Sequence, residues 1–93
     1  MNVEIVKKQI SELKDFLSLP SVDVCWTKYD SADEVINELE LIEAGILNQD
    51  NNAINQLRFL LSPTSALQEI SISSGWGDEF ISIAKIIENA LDK

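Results

Sequence analysis

The sequence predicts an all-α protein, an irregular bundle of four or five helices forming a single domain over residues 1–93. Three observations lead there. Apolar residues recur at helical spacing in several segments. Proline, glycine and small polar residues punctuate the chain where such segments should start or stop. A chain of 93 residues holds one core of ordinary size and no more.

From Asn2 to about Leu19, Val3, Val6, Ile10, Leu13 and Leu17 line one stripe. Charged residues fall opposite, with Glu4 and Lys8 spaced four apart as a supportive pair. Pro20 ends this helix, because the residue before a proline is biased away from helical geometry. Between Pro20 and Asp30 the periodicity fails. Val22, Val24 and Trp26 alternate, and the segment reads as an ordered loop whose apolar side chains close one end of the bundle.

Ser31 followed by Glu34 has the form of a capping box and predicts a helix to about Leu47, with Val35, Leu39, Ile42 and Ile46 inward. Asp50 is a good N-cap for the next helix, which turns Ile54, Leu57 and Leu61 inward. The short link at Asn48 and Gln49 makes these two helices an antiparallel hairpin.

Ser62-Pro63 ends the third helix and suits the start of another. Residues 67–72 fit either a helical turn through Leu67 and Ile70 or a short strand alternating with serines. Gly75-Trp76-Gly77 then breaks the chain. Asp78 is placed to cap a last helix whose buried stripe is Phe80, Ile83, Ala84, Ile87 and Leu91.

The composition removes most chemistry. Histidine is absent, and with it the usual general base, the commonest metal ligand and any Ser-His or Cys-His dyad. The one cysteine, Cys25, forbids an internal disulfide and reads as a core thiol in a reducing compartment, so the cytoplasm is the expected location. Zinc lacks a ligand set. Calcium loops started at Asp23 or Asn48 place Lys28 or Ala53 where glycine is required. Three glycines do not make a phosphate-cradling loop. The carboxylate pairs Glu34/Glu38 and Glu40/Glu43 read as solvated surface charge. The expectation is therefore a non-enzyme with no metal and no cofactor.

Acidic residues number 16 against 7 basic ones, a formal net charge of -9. Such a charge repels phosphate backbones and anionic membrane surfaces, so neither nucleic acid nor membrane is an expected direct partner. It favours a protein with a basic surface. The N-terminal segment has no apolar run that reads as a signal peptide, and no stretch is apolar enough to span a bilayer.

The charge is local. Asp30, Asp33, Glu34, Glu38, Glu40, Glu43 and Asp50 include no Lys or Arg between them, and the rest of the chain carries nine acids and seven bases. At about 100° per residue, Asp33, Glu34, Glu38 and Glu40 spread opposite the apolar stripe, with Leu41 among them. An apolar residue ringed by carboxylates suits an anchor with a charged rim; it equally suits packing beneath the loop from Val22 to Tyr29, or a scattered surface leucine. Trp76 reads as a plug locking the last helix to residues 67–72, or as a presented aromatic contact. The candidate partner-binding set is Asp33, Glu34, Glu38, Glu40, Leu41 and Trp76.

The segment from Pro63 to Ile72, Pro-Thr-Ser-Ala-Leu-Gln-Glu-Ile-Ser-Ile, followed by Gly75-Trp76-Gly77-Asp78-Glu79-Phe80, resembles a segment of small uncharacterised bacterial proteins. Some small acidic proteins of this kind act as immunity proteins for toxins, so the resemblance implies an immunity-type role; with the acidic helix, which lies outside it, the expectation is a protein that neutralises a basic toxin or nuclease by covering its active site. It covers roughly the last third of the chain and carries no catalytic residue with it. Two other readings stay open: a nucleic-acid mimic blocking a defence nuclease, weakened by there being one strongly acidic helix, and a helical adaptor or homodimer using Ile5, Phe16 and Ile81.

Overall fold

The computed structural model describes residues 2–19, 22, 31–62 and 65–92. Among them are five helices and no strand: α1 (Val3–Leu17), α2 (Ala32–Leu47), α3 (Asn51–Leu60), α4 (Ala66–Ser74) and α5 (Gly77–Leu91). The expected all-α bundle is the fold observed. Helices α2 and α3 pack as one hairpin and α4 and α5 as another. Helix α1 packs on both, against α2 on one side and α5 on the other.

Helix α1 starts at Asn2, whose Oδ1 accepts the Ile5 N–H at 3.2 Å, and buries Val6, Ile10, Leu13 and Leu17. The predicted Glu4–Lys8 pair does not form. The ion pairs among the described residues are Lys14–Glu43, at 4.0 Å, and Arg58–Asp92, at 2.9 Å. A long side chain in water gains too little from an isolated surface pair to hold one geometry. Of the segment from Pro20 to Asp30, only Val22 is described. It is half-buried against the core, and Cys25 and Trp26 lie outside the described residues.

Helix α2 begins where the capping box predicts, but Ser31 makes no side-chain cap hydrogen bond. The first-turn carboxylates Asp33 and Glu34 instead complement the positive end of the helix dipole. Asp50 caps α3 as expected, accepting the Asn52 N–H at 2.9 Å. Ser65 caps α4, accepting from the Gln68 N–H at 3.2 Å, so α4 starts past Pro63 and residues 67–72 are helix. Asp78 does not cap α5. The helix starts two residues earlier than such a cap would place it, at Gly77, leaving Trp76 in the cap position and Asp78 in the first turn. The chain re-enters a helix too soon after α4 for Asp78 to stand outside it.

Two helix ends share one hydrogen-bond pattern. The Asp50 N–H donates to the Gly45 carbonyl and the Gln49 N–H to that of Ile46, both at 2.9 Å. At the end of α4 the Trp76 N–H donates to Ser71 at 2.9 Å and the Gly75 N–H to Ile72 at 3.3 Å. This double bond pattern needs a left-handed residue at its corner. Gly75 supplies it with φ of 89°, whereas at the other turn Gln49 holds φ of 58° and pays for its Cβ. Gln49→Gly is therefore expected to stabilise the protein by about 0.5–1 kcal/mol, read as a higher urea midpoint; a lower midpoint would show that the Gln49 side chain contributes something the turn geometry does not.

Candidate functional site

The acidic helix has two distinct sides. Val35, Leu39, Ile42 and Ile46 are buried, as their spacing predicts, and fix which face points outward. Glu43 turns toward α1, where Lys14 lies 4.0 Å away. Asp50 is occupied in capping α3. Asp33, Glu34 and Glu40 are exposed on the outer face, and Glu38 is half-buried at its edge.

Leu41 stands on that outer face with 75% of its surface exposed, so it is not a core residue. Leu47, on the last turn of the same helix, is also exposed. Between them lies Ala44, small and exposed, leaving a low surface on which an apolar group can settle. The outer face of α2 thus combines an apolar centre with a carboxylate rim. Exposed carboxylates stay hydrated, whereas the exposed leucines leave apolar surface in water.

Trp76 lies elsewhere. It is 3% exposed and stacks on Phe16 of α1, with ring centroids 5.0 Å apart and planes at 17°. The presented-aromatic reading is corrected: a buried ring offers no contact area, and Trp76 leaves the contact set. The plug reading stands with a different attachment, since the ring joins the α4–α5 corner to α1. The two glycines serve this placement. Gly75 turns the chain, and a Cβ on Gly77 would meet Ile72 Cγ1 at 3.2 Å, so α4 and α5 approach closely there.

Sequence reasoning missed a second surface, the groove between α1 and α5. It is lined at one end by Ile5 and Ile86, and at the other by Gln9, Phe16 and Glu79. Ile5 and Phe16 already stood out as apolar residues beside the main stripe of α1. Their partners on α5 could not be read, because pairing between the first and last helices is tertiary information.

Glu43 faces Lys14 while Glu40 is exposed, so these two carboxylates do not converge on one point. Among the described residues, no group of three or more His, Cys, Asp or Glu side chains is placed to hold a metal ion. No described helix is long and apolar enough to cross a membrane. Comparisons with protein-family models, curated proteins and solved structures find no match to this chain.

Proposed function

We propose that the protein is a cytoplasmic binding protein of the immunity or inhibitor type, which neutralises a basic toxin or nuclease by laying the outer face of α2 over its active site. The observation that carries this reading is Leu41, 75% exposed on a face whose charged residues, among the described residues, are acidic. A leucine so exposed gains about 1.5–3 kcal/mol when fully covered, and the carboxylates Asp33, Glu34 and Glu40 select a cationic cover. The protein needs no catalytic group for this task, only a stable helix presented in one orientation. The buried stripe of α2 provides that orientation.

The test is affinity capture from the native cell with the wild-type chain and with a triple variant, Asp33→Lys, Glu40→Lys and Leu41→Asp. All three sites are exposed, so the fold should persist by circular dichroism. The expected result is a basic protein held by the wild type, lost by the variant, and associating about tenfold or more slowly when only the two charges are reversed. The association rate should fall steeply with salt for the wild type and weakly for the variant. A captured partner that is acidic, or one retained equally by the triple variant, would remove this reading.

A further inference from the structure

Helices α1 and α5 are both 15 residues long and run antiparallel. The Asn2 N–H donates to the Ala90 carbonyl at 2.9 Å at one end, and the Phe16–Trp76 stack closes the other. Along this seam a depression of about 700 Å³ meets one of about 510 Å³, and Ile86 lines both. The two depressions adjoin at Ile86 along a seam whose helices are each roughly 22 Å long at 1.5 Å per residue. We propose that this groove is the docking site for a basic amphipathic helix of a partner protein, a surface separate from the outer face of α2.

The groove offers such a helix a matched set of groups. Ile5 is 39% and Ile86 42% exposed, and with the edge of Phe16 they make an apolar strip between the two helices. Two antiparallel helices with an apolar strip between them accept a third helix by setting its ridge into their groove. The rim is all acidic: Glu4, Glu12, Asp15 and Glu79 line it, and no Lys or Arg does. None of the four is ion-paired among the described residues. Lys7 and Lys8 line an adjoining depression on α1 that shares Glu4 and Glu12 with the groove, so the acidic rim is strongest at Asp15 and Glu79.

A third, independent feature points to a donor-bearing occupant. Gln9 lines the groove, is 8% exposed, and its buried Oε1 has no hydrogen-bond partner. An unsatisfied buried acceptor is costly, and a turn of the Gln9 side chain would bring its oxygen to a guanidinium or ammonium seated in the groove. The same charges decide against a second copy of this chain. A two-fold pair through the groove would set four carboxylates against four, with no cation in either lining.

The experiment uses a synthetic helix of about 18 residues, with leucines at i, i+3, i+4 and i+7 and arginines along both flanks. A second peptide carries glutamate for every arginine. Binding to the full chain is followed by titration calorimetry and by backbone amide shifts. The arginine peptide is expected to bind and to move amides of α1 and α5 around Gln9, Glu12, Glu79 and Ile86. The double variant Glu12→Lys, Glu79→Lys should weaken it by about tenfold or more, while Asp33→Lys, Glu40→Lys on α2 should change affinity by no more than about twofold.

The inference is overturned if neither peptide binds, if the glutamate peptide binds as well, or if the α2 pair weakens binding as much as the groove pair. It also fails if light scattering finds a stable dimer that Ile86→Asp converts to monomer, which would make the groove a contact between copies. None of these results bears on capture through α2, because the two surfaces are reversed by different substitutions.

Discussion

Gly45→Ala is expected to destabilise the protein by about 1–3 kcal/mol, against the usual sign for such a change. In an ordinary helix interior, replacing glycine by alanine stabilises by about 1 kcal/mol. Here a Cβ on Gly45 would sit 2.5 Å from the Ala53 Cβ, so α2 and α3 could no longer approach as they do. The neighbour is itself a Cβ fixed to its backbone, not the free end of a long side chain, and cannot swing aside. Separating the helices would loosen Leu57 and Ile46, both buried in the hairpin's contact with the core. Urea denaturation reads the effect. Adding Ala53→Gly should return part of the loss, although that glycine costs about 1 kcal/mol of helix propensity on its own. A favourable coupling energy in this double-mutant cycle is the signature of the close approach; a Gly45→Ala protein as stable as the wild type would show that the hairpin is not packed this tightly.

Trp76→Ala is expected to cost about 3–5 kcal/mol. A domain of this length has a total stability of roughly 5–14 kcal/mol, so the loss removes between about a fifth and all of it. The loss comes from three places at once: the stack on Phe16, the burial of the ring, and the tie between the α4–α5 corner and α1. Trp76→Phe separates these contributions. It keeps a ring to stack and removes the indole N–H, which is buried without a hydrogen-bond partner. The Phe variant should therefore lose only about 1–2 kcal/mol. Urea midpoints for the two variants check the ordering, and an alanine variant within about 0.5 kcal/mol of the wild type would place the ring outside the core.

The helices were legible where one pattern dominated. Val35, Leu39, Ile42 and Ile46 repeat with a single period, and all four are buried. The same arithmetic placed Leu41 on the outside, and it stands exposed. Residues 67–72 were undecided because Ile70 and Ile72 alternate with serines while Leu67 and Ile70 also lie one turn apart. A deciding signal was present: Ser65 with Gln68 three residues on is a capping pair, and the Ser65 hydroxyl does accept the Gln68 N–H. Ser31 shows the limit of that signal, since it has the same spacing and makes no such bond. Trp76 was read as joining its own neighbours in sequence, whereas it stacks on a residue 60 positions earlier. Which distant helix receives a side chain is set by the packing of the whole core, and a local pattern does not contain it. The groove between α1 and α5 was hidden for the same reason.

The position of α1 bears on how the molecule comes apart. Each hairpin is built from helices adjacent in sequence, so each is a local unit. What joins the two is chiefly α1, whose buried stripe is shared between α2 and α5. A helix gripped from both sides acts as a clasp, and its release exposes apolar surface on both hairpins together. Local fluctuations that spare α1 stay confined to one hairpin, whereas any that free it become global. A ligand seated against α1 would therefore slow the opening of the whole molecule, including the hairpin it never touches.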